Sequence, residues 1–144
     1  MSSLRHVGIT VSNLNESIRF YQDMLGFEIK TVMLEEGACI DNFSCLKNVL
    51  VLTVKMSGKN NSGMIELLNY ISHPSFRHEN NYPITDVGCS HFAITVQNLD
   101  SLYKNLVAND IVFNHPVQTS PDGNVKIAFC RDPDGTLIEL VEEL

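Results

Sequence analysis

HVGITVSNLN (residues 6–15) and HFAITVQNLD (residues 91–100) are nearly the same phrase written twice in a chain of 144 residues. Each runs histidine, two small or apolar residues, Ile-Thr-Val, a polar residue and Asn-Leu. Ile-Thr-Val sits in a strict alternation from Leu4 to Val11 and again from Ser90 to Val96, the pattern of a half-buried strand. Val7, Ile9 and Val11 point one way, and His6, Gly8 and Thr10 the other. In the second copy Phe92, Ile94 and Val96 oppose His91, Ala93 and Thr95.

The two copies also continue alike, each into a helix. Asn13, with Glu16 three residues on, has the form of a helix N-cap and capping box. Leu14, Ile18, Tyr21 and Leu25 then make one helical stripe, which Gly26 ends. Asn98 begins a second helix with the stripe Leu99, Leu102, Tyr103 and Leu106, which frays near Asn109 and Asp110. Strands are expected at Phe27–Met33, Val49–Met56 and Met64–Tyr70 in the first half. The second half should place them at Ile111–Phe113, Val125–Cys130 and Thr136–Glu142, with a tight turn at Asp132-Pro133-Asp134-Gly135. Each half therefore reads as βαβββ. Neither has enough strands to bury both faces of a sheet alone, so the two are expected to pack around a shared cleft with the helices outside. The expected division is a first module at 1–70, a connector at 71–88 and a second module at 89–144, together one structural domain. The connector, ISHPSFRHENNYPITDVG, breaks the periodicity. Its histidines, His73 and His78, read as solvated loop residues.

Composition narrows the function classes. An apolar content of 44% with 19% charged residues is that of a soluble globular protein. The longest nearly apolar run, Val49–Val54, is of strand length, far below the ~20 residues that span a bilayer. The opening residues enter a strand pattern without a hydrophobic leader, which points to a cytoplasmic protein. A net charge of −7 argues against nucleic acid as a partner. The four cysteines, Cys39, Cys45, Cys89 and Cys130, form no CxxC pair and are expected to be reduced structural thiols, three of them in or beside strands.

The helices must cover the apolar side of each first strand, so His6 and His91 face the cleft, beside the small Gly8 and Ala93. The last strand of each half, MIELL around Glu66 and LIELV around Glu139, centres a glutamate among aliphatic residues. A carboxylate so enclosed needs a cation or a proton. Two imidazoles and two carboxylates in matching positions suit one divalent metal of intermediate hardness, such as Ni, Co, Zn, Mn or Fe(II). An octahedral cation held by all four keeps two positions for water or substrate oxygens.

At these residues the chain resembles the vicinal oxygen chelate superfamily. That group includes glyoxalase I, methylmalonyl-CoA epimerase, extradiol dioxygenases, fosfomycin-resistance transferases and bleomycin-binding proteins. The resemblance rests on His6 with VGITVSNLNESIRFYQDMLGF, on MIELL, on His91 with FAITVQNLD, and on RDPDGTLIELVEE. It implies an α+β fold of two βαβββ modules whose curved mixed sheets enclose a metal-containing cleft. By resemblance to glyoxalase I, the metal ligands fall on His6, Glu66, His91 and Glu139. The epimerase is similar but usually has Gln at the position of Glu66, and the dioxygenases use only two His and one Glu. The implied activity is that of a lyase or isomerase moving a proton next to a carbonyl through a metal-bound enediolate or enolate. Glu139 is then the expected base, with Glu66 its counterpart across the site. Glu35 or Glu36 is a weaker second base in an epimerase, the simpler reading being an exposed turn charge. The alternatives are an Fe(II) extradiol-type dioxygenase and a drug-binding protein of the bleomycin-resistance type.

The expected partner is a small substrate offering two metal-chelating oxygens. Glyoxalase I anchors glutathione with an arginine four residues after its first-strand ligand; here that residue is Thr10. Arg5, Arg19, Arg77 and Arg131 match no such anchor, which leaves the thiol open. Phe43, Phe129, Met33 and Met64 either line an apolar cleft or belong to the core. A homodimer is expected, with each site completed within one chain rather than by exchange.

Overall fold

The computed structural model describes residues 1–77 and 83–144; His78 lies outside them. The chain forms two compact units, Met1–Arg77 and His78–Leu144. Each contains a four-stranded mixed sheet, so the class is α+β.

In the first unit, β1 (Val7–Thr10) leads into α1 (Leu14–Ile18), which continues as a π-helical turn over Arg19–Met24. β2 (Glu28–Glu36), α2 (Ala38–Ser44), β3 (Leu50–Ser57), a 3-10 turn at Lys59–Asn61 and β4 (Met64–Tyr70) complete it. The sheet order is β1-β4-β3-β2, with β1 parallel to β4 and the other pairs antiparallel. Asn13 caps α1, its side-chain oxygen accepting from the N–H groups of Asn15 and Glu16 at 3.1 and 3.3 Å. Gly26 closes the helix at φ +78°, a conformation that favours glycine.

The π turn alters the buried face. It inserts extra backbone into the helix, shown by the Leu25 N–H bonding to Phe20 O. The buried residues are consequently Ser17, Phe20 and Tyr21 rather than the regular stripe of Leu14, Ile18, Tyr21 and Leu25. Phe20, Tyr21 and Phe27 stack edge to face there. Ile9, Leu67 and Val54 share one register row and are all buried. The opposite sheet face carries Gly8, Glu66 and Lys55 in one row and Thr10, Leu68 and Thr53 in the next. One end of that face is covered by the unexpected α2, whose Ile40 packs with Val49, Val51, Leu68 and Tyr70. Asp41 holds the loop after α2 by accepting from the N–H groups of Asn48 and Val49.

In the second unit the elements are β5 (Phe92–Thr95), α3 (Leu99–Ala108), β6 (Gln118–Thr119), β7 (Val125–Arg131) and β8 (Leu137–Glu143). The order β5-β8-β7-β6 repeats that of the first sheet, again with a parallel first pair. The third strand departs from expectation. Ile111–Phe113 contributes only an isolated bridge from Phe113 to Cys130, and the edge strand is the two-residue β6. The expected turn is present: Gly135 takes φ +96°, and buried Asp132 accepts from the N–H groups of Asp134 and Thr136 at 3.0 and 2.7 Å. Among the described residues no helix is long and apolar enough to cross a membrane.

The cysteines correct one expectation. All four are free thiols, but only Cys130 is buried, while Cys39, Cys45 and Cys89 are exposed. Cys39 and Cys45 belong to α2 and its C-cap, an element the strand pattern did not reveal.

Candidate metal centre

Parallel pairing of the first and last strands decides what each unit presents. Register sets Gly8 opposite Glu66 and Ala93 opposite Glu139. The histidine two residues before the small residue then reaches the glutamate on the same sheet face. His6 Nε2 lies 3.1 Å from Glu66 Oε2, and His91 Nε2 lies 3.3 Å from Glu139 Oε2. The four side chains are 14–30% exposed, sheltered yet reachable. No group of three or more His, Cys, Asp or Glu able to hold a metal forms among the described residues.

The spacing within each pair is that of a direct ion pair and is also compatible with two donors on one divalent cation. Two donors bound to one ion at about 2.1 Å and at right angles lie about 3.0 Å apart, close to both observed spacings. Imidazole nitrogen with carboxylate oxygen is also the donor chemistry that such ions prefer. A ligating histidine normally uses its second ring nitrogen to fix its orientation. His91 does so, with Nδ1 2.8 Å from Ser90 Oγ and its ring edge-on to Phe129 at 5.1 Å between centroids. The buried Nδ1 of His6 has no hydrogen-bond partner among the described residues.

The two pairs differ in their third neighbour. Lys55, opposite Glu66 on β3, places its ammonium 3.3 Å from Glu66 Oε1. The residue opposite Glu139 on β7 is Phe129. Both oxygens of Glu66 are therefore engaged, whereas Glu139 Oε1 has no partner among the described residues. The repeat could not reveal Lys55, because its counterpart is aromatic. Its signal was a lysine within Leu50–Ser57, a run where such a residue requires a carboxylate partner.

The remaining candidates separate clearly. Glu35 is half-buried and accepts from the buried Thr53 hydroxyl at 2.5 Å, on the sheet face that carries Glu66, while Glu36 is exposed. Phe43 and Met33 are exposed at 68% and 44%, so neither is core. Met64 and Phe129 are half-buried. Arg77 bonds to Ser12 Oγ, Arg131 to the Gly135 carbonyl, and His73 to Ser72.

Two units of matching topology, each pairing a first-strand histidine with a last-strand glutamate, define a protein built from a duplicated α+β module. The chain belongs to the Glyoxalase/Bleomycin resistance protein/Dioxygenase superfamily, whose family model matches residues 3–140. It is 29% identical to the lactoylglutathione lyase of Schizosaccharomyces pombe over 147 residues, covering 97% of this chain and 47% of that protein. The chain thus spans about half the length of that relative. It is 28% identical to YwkD of Bacillus subtilis over 145 residues, covering 99% and 98% of the two chains. A glyoxalase family protein from Bacillus cereus shares the fold with a TM-score of 0.90 at 22% identity, over 100% of this chain and 95% of that one.

Proposed function

We propose that this protein is a metal-dependent lyase or isomerase of the glyoxalase I type, in which His6, Glu66, His91 and Glu139 together hold one divalent cation. The observation that carries the reading is the equivalence of the two His–Glu pairs, at 3.1 and 3.3 Å, on corresponding strands. Membership of the superfamily supports it, as does similarity to a lactoylglutathione lyase. A bound cation of the Ni, Co, Zn, Mn or Fe(II) group supplies Lewis acidity toward two neighbouring substrate oxygens. The chain's own residues divide the remaining work. Glu139, with one oxygen uncommitted, takes the proton from the carbon beside the carbonyl and returns it. Glu66, with both oxygens engaged, holds rather than shuttles. Ser90 and Phe129 keep His91 in place. The substrate is a small molecule, and the working form is a cytoplasmic homodimer.

One observation favours an extradiol-type dioxygenase instead. Lys55 gives Glu66 a partner without any metal, which is what a site using only His6, His91 and Glu139 would need. The two readings part in one experiment. The protein is loaded in turn with Ni, Co, Zn, Mn and Fe(II), then offered methylglyoxal with thiols, acyl-CoA epimers and catechols. Isomerisation is expected, with Glu139→Gln lowering kcat by about 10²-fold or more and Glu66→Ala lowering metal affinity and turnover together. Oxygen uptake with a catechol that survives Glu66→Ala would establish the dioxygenase. A protein whose stability ignores every metal would instead be a binding protein.

A further inference from the structure

Lys55 is the one charged residue of β3, and it stands in a cross-strand row with Thr31, Glu66 and Gly8. Its neighbours Thr53, Val54, Met56 and Ser57 are buried, while Lys55 itself is half-buried. A lysine is tolerated in such a strand when its ammonium is paired. Its partner is Glu66 Oε1 at 3.3 Å, on the carboxylate whose other oxygen meets His6 Nε2 at 3.1 Å. In the second unit Phe129, not a cation, occupies the corresponding place beside Glu139.

We propose that Lys55 is a built-in competitor for the metal, an internal cation that shares Glu66 with the divalent ion and sets how tightly it is held. The inference rests on the metal-centre reading proposed for His6, Glu66, His91 and Glu139. Two effects act in the same direction. A fixed ammonium near Glu66 repels a dication bound to the same carboxylate. A metal that uses Oε1 must also displace the ammonium first. When no metal is present, Lys55 neutralises a half-buried carboxylate that would otherwise be left poorly compensated. Lys55 therefore steadies the metal-free protein and weakens metal binding at once. A merely structural lysine would do the first and not the second.

The opposed signs make the test. Zn(II) and Co(II) affinities of the full chain are measured by competition with a chromogenic chelator, and the metal-free proteins are melted in parallel. Lys55→Met is expected to bind metal about ten-fold tighter, a conservative figure for partly screened charges, while melting lower without metal. Lys55→Arg, which keeps the charge, should stay near wild type. Phe129→Lys, which brings an ammonium to Glu139, should bind metal about ten-fold more weakly than Phe129→Met, which loses the same ring contact with His91 but adds no charge. Unchanged or weaker binding by a folded Lys55→Met overturns the inference, as does a folded Phe129→Lys that binds metal as tightly as Phe129→Met. His6→Ala separates this failure from that of the parent reading. If wild-type affinity needs His6 yet ignores Lys55, only the inference falls; if binding is absent or survives His6→Ala, the metal centre falls with it.

Discussion

Burial changes the chemistry of Cys130 strongly. It lies buried on β7, and desolvation, helped by the nearby Asp132 charge, pushes its thiol up to about 12 from 9.0. Folding therefore favours the protonated thiol, so the native state binds more protons than the unfolded state between those values. The resulting stability is whole below about pH 9 and falls as pH rises toward 12. Thiol labelling in native buffer at pH 8 should modify Cys39, Cys45 and Cys89 rapidly and Cys130 only on unfolding; four equally fast thiols would contradict the burial. The proposed site residues stand out in the sequence for a different reason. His6, Glu66, His91 and Glu139 recur at matching places, and a repeat distinguishes them from bystanders. Repetition is blind to Lys55, since only one half has it. Nor does it rank Glu35 above Glu36, because only strand register shows which of them faces Glu66.

Between elements, Glu142 joins the end of β8 to the start of α3. Its two oxygens accept the backbone N–H groups of Asn98 and Leu99 at 2.8 and 3.0 Å. These donors have no partner within the helix, and a carboxylate there also meets the positive end of the helix dipole. Glu142→Ala should cost about 1 kcal/mol, read from the midpoint of urea unfolding, with Glu142→Gln costing less. A midpoint unmoved in both would show that solvent caps the helix equally well. Several strands with two-residue alternation were readable almost to their ends: Met64–Tyr70 is as expected, Val125–Arg131 runs one residue further, and Leu137–Glu143 is shifted by one residue at each end. The failures have local causes. α2 is seven residues long, follows an N-cap, Gly37, that has no side chain to cap it, and holds one buried residue, Ile40, so it shows no stripe. The π turn shifts the helix period in midcourse, and periodicity assumes it constant. Ile111–Phe113 is apolar enough for a strand but pairs only through Phe113.

At the scale of the whole molecule, the question is whether the two His–Glu pairs act as one site or as two. Each unit alone supplies one nitrogen and one oxygen, and no larger donor group forms among the described residues. A pair of donors holds a divalent ion weakly, whereas four on one ion hold it far more tightly because the second pair adds without a new cost in translational freedom. The one-site reading therefore makes a non-additive prediction. Zn(II) at a hundred times its Kd should stabilise the wild type by about 2.7 kcal/mol, seen as a rise of several degrees in Tm. His6→Ala and His91→Ala should each remove most of that gain, and the double variant should lose little more. Titration should give one tight ion per chain, with each single variant lowering that number toward zero. Two independent half-sites would behave otherwise: each variant would remove half of the bound metal and leave the other half with its affinity intact.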